Sequence, residues 1–445
     1  MTTSEVIWFH GVISTAGVIM SPKTSQHISA ILLASALFFH ASDSFGSGFA
    51  VYTQDASALG QGNAMIAHTD GPAAIFFNPA LLNKLEGTQV EVGTTLIFPS
   101  RKFKSDLSST EYETEYSVFY PSTFYISHRF DDKVSAGLGV FSPFGLGTDW
   151  GEDWEGRYIT TRSEMKTFNF NPAISYQIMS DLSVAGGVDF ILLDATLERK
   201  INLSSLGLPD AGQKFSGDGR GVGYNLGVVF DINEDTSLGA SYRSEVKVGI
   251  AGDVAFNLPP SIALSTTFPN TVAETDITLP QQVHAGISYK GFEALIIEAG
   301  VRWEGWSSYD ELKFDFEQQI AGNTAAAYEK DWRDTWTGNA GAQYQLNDAV
   351  SLRAGYLYGG NPVPDKTLEP AIPDSNTHIF TIGTGLKSQR VKIDLAYAYQ
   401  MLESRKKNNS IDDNQFDGLL NGATSANGRY DSRIHLVGIS LTYVF

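Results

Sequence analysis

The amino-acid sequence predicts an all-β fold: a transmembrane antiparallel β-barrel of about fourteen strands, with an N-terminal segment that plugs the lumen as a hatch. Hydrophobic residues recur with a period of two from Gln89 onward, and short turns alternate with longer polar loops. Aromatic residues gather near the strand ends and include the last residue, Phe445. Outer-membrane barrels combine tight periplasmic turns, long outer loops and two aromatic girdles. We therefore expect the barrel to occupy residues 89–445.

The composition argues against several other classes of protein. The chain has 445 residues and no cysteine, which excludes disulfides and thiolate metal sites. A formal net charge of -19 argues against nucleic acid as a partner, because phosphate binding needs clustered Lys and Arg. The mean hydropathy is -0.12. Beyond the signal region, no apolar run approaches the ~18 residues of a spanning helix. Strands that alternate lipid-facing and lumen-facing residues average to such a neutral value.

The N-terminal residues have the pattern of a secretory signal peptide, which we place at residues 1–44. Lys23 precedes an apolar run from Ile28 to Phe39, and small residues follow it. The run is too short for a membrane anchor, which is the alternative interpretation. Met20 is a candidate for the true start, because a chain beginning there has the charged region that a signal peptide needs. The predicted destination is the outer membrane of a Gram-negative bacterium.

The alternation is clearest in the last strand, where Val437, Ile439 and Leu441 share one face and small or polar residues share the other. A helix would need apolar residues three and four positions apart. Alternation alone also fits a soluble β-sandwich, so the contrast between tight turns such as Ser180-Asp181 and much longer loops decides for a membrane barrel. The predicted strands are 89–99, 112–130, 133–144, 161–179, 182–202, 221–232, 236–256, 276–290, 293–318, 329–346, 349–361, 377–389, 391–407 and 432–445.

Residues 45–88 break the strand pattern and predict the hatch. This segment is rich in Gly and Pro, carries little charge, and holds apolar side chains that need burial. The lumen is the nearest place for them, because ~8 strands already fill a barrel with side chains whereas ~16 leave a channel. The hatch residues that we single out are Phe49, Phe76, Phe77, Asn78, Pro79 and Ala80.

An ordered series of short motifs carries a family resemblance. The motifs include Gly48-Phe49, Ser57-Ala58-Leu59-Gly60, Phe76-Phe77-Asn78-Pro79-Ala80-Leu81-Leu82, Ser142-Pro143-Phe144-Gly145-Leu146-Gly147-Thr148, Trp154-Glu155-Gly156-Arg157-Tyr158 and Trp303-Glu304-Gly305-Trp306-Ser307. No single tripeptide is specific, but the ordered set resembles the FadL/TodX family of outer-membrane transporters of long-chain fatty acids and other hydrophobic compounds. The resemblance implies a fourteen-stranded barrel with an N-terminal hatch, in agreement with the strand count.

The resemblance also implies a function. A hydrophobic molecule would be captured by the outer loops, pass a buried pocket and the hatch, and leave sideways through the wall. Long-chain fatty acids are the expected cargo. Aromatic hydrocarbons are the alternative, because family members divide between these two and the motifs do not decide.

The outer loops carry the candidate substrate-binding residues, because exposed apolar side chains in loops usually mark binding or membrane contact. The alternative is that these loops fold on themselves as a lid. For a carboxylate the candidate is Arg157, since guanidinium matches carboxylate in a fork geometry; pairing with a neighbouring wall acid is the alternative. The apolar candidates, in loops around 203–220 and 257–275, are Leu206, Leu208, Phe215, Leu258, Ile262, Leu264 and Phe268.

A proline predicts a defect in the wall. Ser142 and Pro143 lie where the third strand should pair, and Phe144 and Gly145 follow them. Proline cannot donate to the ladder, and glycine accommodates the resulting bend. We expect a lateral opening at these four residues, with an ordinary strand end as the alternative.

Other functions fit less well. The histidines on the predicted strands come with no Gly-x-Ser-x-Gly elbow, so an outer-membrane hydrolase is disfavoured and no enzymatic activity is expected. A general porin is disfavoured because an apolar hatch would block a water pore. Asp412, Asp413 and Asp417 lack the spacing of an EF-hand loop, and no metal or cofactor is expected. The expected partners are the lipid bilayer, a hydrophobic small molecule and the outer-membrane assembly machinery, and the expected state is a monomer.

Overall fold

The structure is a computed structural model that describes residues 48–411 and 426–445. The signal peptide predicted at residues 1–44 and the acidic residues Asp412, Asp413 and Asp417 lie outside these ranges. Within them, no helix has the length and apolar character needed to cross a bilayer.

Fourteen strands form one wall, and several of them consist of two segments separated by a short break. The strands are β1 (Thr88–Ser105), β2 (Glu111–Glu113 and Ser122–Arg129), β3 (Val134–Phe141 and Gly145–Asp149), β4 (Arg162–Met179), β5 (Leu182–Ile201), β6 (Ala211–Asp231), β7 (Thr236–Arg243 and Val246–Asn257), β8 (Thr271–Leu279 and Gln282–Phe292), β9 (Leu295–Glu304 and Glu311–Ile320), β10 (Asn323–Glu329 and Thr335–Asn347), β11 (Val350–Gly359), β12 (Thr377–Ser388), β13 (Val391–Leu402 and Arg405–Lys407) and β14 (Gly428–Val444).

Each strand pairs antiparallel with its neighbours in the sequence, and the ring closes between the first strand and the last. Gln89 of β1 lies opposite Val444 of β14, and the pairing continues to Ser105 opposite Gly428. A closed ring removes the free strand edges that hydrocarbon surroundings do not tolerate. The predicted antiparallel barrel of fourteen strands is confirmed.

The outer face of the wall is apolar and the inner face is polar, the opposite of the arrangement in soluble proteins. On β14, Ile439 and Leu441 are 46% and 44% exposed, whereas Ser440 and Thr442 are each 1% exposed. The same alternation of exposed and buried positions runs along β4. A soluble β-sandwich would bury its apolar face, so the outward apolar band identifies the surface that a lipid bilayer covers.

Five predicted boundaries change by five residues or more, and among them β3 ends at Asp149 instead of residue 144 and β10 begins at Asn323 instead of residue 329. β1 continues to Ser105 instead of residue 99, β6 begins at Ala211 instead of residue 221, and β8 begins at Thr271 instead of residue 276. The added stretches expose charged side chains such as Lys214 and Glu274, so the apolar alternation that marked the strands is absent from them. These ends rise above the lipid-covered band, and about half of the loop predicted at 203–220 is strand.

Residues 48–87, which we call the luminal segment, lie within the ring. They form α1 (Ala56–Gly60), α2 (Ala74–Phe77) and a 3-10 helix (Pro79–Lys84). Most of the segment is buried. It reaches strands on different sides: Asn339 of β10 donates to the carbonyl of Gly62 at 3.0 Å, and Ser440 of β14 donates to Asp55 at 3.0 Å. A segment held from several sides fills the lumen.

Asn78 shows why the sequence Asn-Pro-Ala suits its position. Its side-chain oxygen accepts the amide N–H of Ala80 at 3.2 Å, and Pro79 occupies the first turn, where a missing N–H costs nothing. Its side-chain amide donates to the carbonyls of Ile66 and Val228 at 2.8 and 3.0 Å. One side chain therefore caps a helix and ties the luminal segment to β6.

A glycine in the wall lets the luminal segment come close. Gly355 of β11 faces inward, and a Cβ at this position would overlap the backbone of Gln61 and Gly62. Gly62 has a φ of 63°, a left-handed conformation that favours glycine. The backbone of the segment therefore has little freedom to move aside.

We expect Gly355→Ala to displace the luminal segment while the barrel still forms, because the new methyl group collides with main-chain atoms. The ion conductance of the purified protein in planar bilayers should rise. Gly186→Ala in β5 is the matched control, since its Cβ would lie 3.7 Å from the nearest atom, an ordinary contact. Equal conductance in the two variants would contradict the prediction.

Candidate functional site

The candidate site is an apolar cavity within the wall. Its volume is about 160 Å³, and it lies between β3 to β10 and the start of the luminal segment. Leu193, Phe215, Ile250 and Phe314 line it and belong to one cluster of buried apolar residues. Such a lining favours alkyl or aryl groups.

Phe49 closes one end of the cavity. Its ring centroid lies 4.5 Å from that of Trp306, 5.4 Å from Trp332 and 5.8 Å from Tyr309. Edge-to-face and tilted contacts of this kind are favourable between aromatic rings. Phe144 adds a fourth ring at 6.0 Å. We call the four residues around Phe49 the aromatic cage.

Gly48 allows the backbone to enter the aromatic cage. Its φ is 56°, and a Cβ there would lie 2.8 Å from the ring of Trp306. A larger residue would therefore be strained in its backbone and would collide with the cage.

A buried ion pair borders the cavity. Lys330 connects the two segments of β10 and pairs with Glu369 of the outer loop between β11 and β12. Both residues line the cavity, and Lys330 is only 4% exposed. A buried ammonium group needs an anion beside it, because the cost of removing it from water is otherwise not offset.

β3 is kinked between its two segments. Phe141 lies opposite Asn169 of β4, but Gly145 lies opposite Lys166. β3 therefore uses one residue more than β4 across the kink, as in a β-bulge. Asn169 is buried and Lys166 is exposed, so the inward and outward faces of β3 change places at this point.

Beyond the kink, β2 and β3 separate. Their pairing ends at Phe124 opposite Val140. In the part of the chain that the structure describes, the next backbone hydrogen bond between them joins the N–H of Glu115 to the carbonyl of Asp149, at 2.8 Å. The wall ladder is thus open beside the kink, in the stretch where the sequence predicted a lateral opening.

The luminal segment satisfies the backbone groups at the kink. The N–H of Val51 donates to the carbonyl of Pro143 at 3.0 Å, and the N–H of Gly145 donates to the carbonyl of Phe49 at 2.9 Å. The side chain of Gln54 donates to the carbonyl of Ser142 at 2.8 Å. Buried backbone groups need such partners, so the kink and the luminal segment hold each other in place.

The two predicted capture loops are exposed only in part. Leu206 and Ile262 are 56% and 88% exposed. Leu264 and Phe268, by contrast, are 6% and 3% exposed and belong to the apolar cluster around the cavity. Leu208 and Leu258 pack partly buried against the same cluster.

Phe215 was predicted in a loop, and that placement was wrong. It lies on β6, is 5% exposed and lines the cavity. The surrounding residues from Ala211 to Gly223 are mostly glycine and polar, a composition that is typical of loops. Of the predicted apolar residues, Phe215 is the one that borders the cavity in the described ranges.

Arg157 lies among the outer loops and already has partners. Its Nε lies 2.9 Å from Oδ2 of Asp210, and its Nη2 donates to the hydroxyl of Tyr158 at 2.6 Å. This is the pairing with a neighbouring acid that the sequence left as the alternative. Among the described residues that line the cavity, Arg157 is absent.

Ionic contacts that sequence reasoning missed fix the luminal segment to the wall. Asp70 pairs with Arg353 of β11 at 2.7 Å and with Lys392 of β13 at 2.9 Å. Glu298 of β9 accepts the N–H of His68 at 3.0 Å. Charged residues at inward-facing positions of the strands indicate such contacts. A single sequence does not show which residue of the luminal segment pairs with each of them.

Comparison with known proteins identifies the family. A sequence model described as "Outer membrane protein transport protein (OMPP1/FadL/TodX)" matches residues 37–445. The chain belongs to this family. The expected outer-membrane localisation is thereby confirmed, and the family consists of transport channels rather than enzymes.

Individual relatives cover nearly the whole chain. The 47 kDa outer membrane protein of Pasteurella multocida is 25% identical over 401 residues, which is 85% of this chain and 92% of the relative. The long-chain fatty acid transport protein of Salmonella typhi is 23% identical over 420 residues, or 87% of this chain and 95% of the relative.

Two solved structures share the fold. A FadL homologue of Pseudomonas aeruginosa superposes with a TM-score of 0.79 at 19% identity, covering 90% of this chain and 100% of that one. The toluene transporter TodX of P. putida superposes with a TM-score of 0.68 at 18% identity, covering 91% and 99%.

In this FadL/TodX protein, a buried carboxyl group holds the start of the luminal segment. Oδ2 of Asp374, in the outer loop between β11 and β12, accepts the N–H of Gly48 at 2.9 Å. Burial raises the pKa of Asp374 to about 7, although hydrogen bonds from Gly48 and Ser375 and the charges of Arg405 and Arg101 oppose the rise. The protonated form is therefore favoured in this environment.

We expect the free energy of unfolding to fall as the pH rises through about 7, because ionisation leaves a charged carboxylate buried beside the start of the luminal segment. Because the pKa is raised on folding, the stabilisation is complete below the ordinary Asp value of ~3.9 and is lost as the pH rises above the folded value. Trp306 and Trp332 adjoin Gly48, so their fluorescence emission should change between about pH 6 and about pH 8.

Asp374→Asn should abolish this change, since the carboxamide keeps an acceptor for Gly48 and does not ionise. Asp365→Asn is the matched control in the same loop, because the side chain of Asp365 is 89% exposed. It should titrate like the wild type. An unaltered titration in Asp374→Asn would show that another group is responsible.

Proposed function

We propose that this protein takes up long-chain fatty acids through the apolar cavity, with the luminal segment acting as a hatch. The observation that carries the proposal is Lys330, a buried cation at the border of an otherwise largely apolar cavity. A fatty acid has one anionic group and a long apolar tail, and the site offers a surface for each. An uncharged hydrocarbon cannot supply the anion that a buried ammonium group needs as its partner.

Glu369 is the group that an incoming carboxylate would replace. It belongs to an outer loop and not to the wall, so it can move away without breaking the strand ladder. The exchange keeps the buried ammonium group paired throughout, which avoids the cost of an isolated charge. The relative from Salmonella typhi is a long-chain fatty acid transport protein, which supports this substrate class.

Uptake of aromatic hydrocarbons is the second candidate. A cavity of ~150 Å³ lined by aliphatic and aromatic side chains is large enough to bind benzene, and the cavity here measures about 160 Å³. The fold similarity to TodX of P. putida, a toluene transporter, favours the same substrate class. Lys330 would then serve only to hold the outer loop.

Binding of oleate and of its methyl ester to the purified protein distinguishes the two candidates. Loss of one charged hydrogen bond costs at least about tenfold in affinity. The double variant Lys330→Met/Glu369→Gln, which leaves no buried charge unpaired, should lose that much affinity for oleate and none for methyl oleate. Lys366→Met removes an exposed lysine that pairs with Glu329 and serves as the control.

Binding can be followed through the fluorescence emission of Trp306 and Trp332, two residues of the aromatic cage. Equal affinity of the wild type for oleate and methyl oleate would overturn the fatty-acid proposal. Tight binding of toluene in that case would favour the aromatic alternative.

We further propose the route. The exposed Leu206 and Ile262 meet the tail first, and the carboxylate replaces Asp210 beside Arg157 in the outer loop between β3 and β4. The tail then displaces Phe49 from the aromatic cage. Because Phe49 is hydrogen-bonded to the β3 kink, its displacement frees the gap between β2 and β3.

The ligand leaves through this lateral opening, at Ser142, Pro143, Phe144 and Gly145. The lower part of the hatch stays in place, since Phe76 contacts Phe141 with centroids 5.2 Å apart and the Asn78-Pro79-Ala80 turn is tied to β6. All parts of the route lie in one chain, and we expect a monomer to be active.

The kink can be removed by one deletion. β3 carries a single extra residue relative to β4, so deleting Pro143 restores continuous register and consistent faces. We expect this variant to bind oleate but to lose uptake, because an unbroken wall has no room for an alkyl chain between strands ~4.8 Å apart.

Pro143→Ala is the matched control, because it removes the ring of proline but keeps the extra residue. It should transport at close to the wild-type rate. Radiolabelled oleate uptake by cells, with heat-modifiable migration of the barrel as the check on folding, measures both. Normal uptake by the folded deletion variant would favour an axial exit past the hatch.

A further inference from the structure

A second break runs through the opposite part of the wall. β7, β8, β9 and β10 are all interrupted at a similar height, between their lower and upper segments. The lower segments pair with one another in order, and so do the upper segments of β7 and β8. The upper segments of β8 and β9 pair only briefly, from Ala273 opposite Phe316 to Thr275 opposite Phe314.

Between this short pairing and the lower ladder, β8 and β9 separate. The lower ladder begins at Gln282 opposite Glu304. In the described chain, one main-chain hydrogen bond crosses the interval, from the N–H of Gly305 to the carbonyl of Gln281 at 2.9 Å. The hydroxyl of Ser308 also reaches the carbonyl of Thr278, at 3.4 Å. β9 uses more residues than β8 here, so the excess must leave the plane of the wall.

The excess residues of β9 turn inward to the aromatic cage. Trp306 and Tyr309 belong to this stretch and are 0% and 4% exposed. Both rings contact Phe49, which also bonds to the β3 kink. The breaks in β3 and in β9 therefore converge on one residue, whose carbonyl accepts a hydrogen bond from the kink and whose ring contacts β9.

Outside the break lies a notch of about 1000 Å³. Ile250, Thr275 and Tyr309 line this notch and also line the apolar cavity. Among the described residues, the buried Oγ1 of Thr275 finds no hydrogen-bond partner. At this place the wall between the notch and the cavity is only one layer of residues thick.

Side chains around the notch locate its lower edge at the level of the lipid headgroups. Just below it, Trp303 and Trp336 form a cross-strand pair on the outer surface, as expected of an aromatic girdle. At its rim, Lys247 pairs with Asp276 at 3.0 Å, both exposed. The notch is therefore lined by charged side chains of both signs, with acidic residues in the majority, and Ile250 and Tyr309 lie where it meets the cavity.

We propose that this notch is a second lateral port, through which single-chain amphiphiles dissolved in the outer leaflet enter the cavity from the side. The inference rests on the proposed function and assigns it an entrance from the membrane in addition to the outer loops. The tail passes between β8 and β9 beside Tyr309, while the head group stays at the charged rim. Leu264 and Phe268 of the outer loop between β7 and β8 are buried in the apolar cluster, so this part of the loop does not present them to solvent for capture.

A ligand that enters at the notch also affects the β3 kink, where we propose that it leaves. A tail that moves Tyr309 or Trp306 alters the contacts of Phe49, and Phe49 is hydrogen-bonded to the β3 kink. Loading from one side of the barrel is thereby linked to opening on the other.

A disulfide staple tests the port. The chain has no cysteine, so Thr278→Cys/Ser308→Cys introduces the only thiols and can join β8 to β9 across the break. Ile287→Cys/Ala299→Cys joins the same two strands where they are already paired and is the matched control. Cells are preloaded with radiolabelled oleate in the outer leaflet and washed before uptake is followed.

We expect the oxidised staple to lower uptake by about tenfold or more, reduction to restore it, and the control to transport normally. Gly249→Trp is an independent variant that needs no disulfide: Gly249 lines the notch, a Cβ there meets nothing within 4 Å, and an indole would fill the space from outside. It should lower uptake in the same way.

Binding of oleate to the purified wild type and to each variant distinguishes a failure of the proposed function from a failure of the second port. Absence of binding in the wild type would overturn the proposed function itself. Normal binding together with full uptake in the oxidised staple and in Gly249→Trp would overturn the second port alone.

Discussion

Hydrocarbon surroundings require that every main-chain N–H and C=O group find a partner within the protein, and the rest of this structure depends on that requirement. It explains the closed ring of fourteen strands. It also explains why the β3 kink is tolerated: the luminal segment supplies the missing partners, through Val51 and Phe49. A segment that serves as part of the hydrogen-bonding wall cannot move without changing the wall, so the luminal segment and the β3 kink form one mechanical unit.

The luminal segment has two parts that are held in different ways. Its lower part is fixed by charge, through Asp70 to Arg353 and Lys392, and by the Asn78 turn. Its beginning is held by aromatic contacts around Phe49 and by a few hydrogen bonds. Stacked rings have no directional bond to break, and an apolar ligand can replace their contacts with its own. The beginning is therefore the part suited to movement, and the lower part is suited to keeping the lumen closed.

The barrel could be predicted from the sequence because a two-residue period, the turns and an aromatic end are all local signals. The predicted start of β6 was too late in the sequence, because Lys214 and its neighbours do not continue the apolar alternation where the strand rises above the lipid. The aromatic cage could not be predicted, since Phe49, Trp306 and Trp332 meet only after the ring has closed. The importance of Lys330 was missed for the same reason: its burial depends on Glu369, which a loop brings from elsewhere. Arg157 lies in a recognisable motif, but its guanidinium group is already paired with Asp210.

The pairing of β1 with β14 also constrains how the molecule is made. Gln89 meets Val444, so the ring cannot be completed until the last residues have left the ribosome and crossed the periplasm. Asp55 accepts a hydrogen bond from Ser440, on the strand that completes the ring, so this contact of the luminal segment also depends on the last strand. Contacts between such distant parts of a chain form slowly, because a long loop must close first. Completion of the ring therefore also completes the attachment of the luminal segment, since one strand takes part in both.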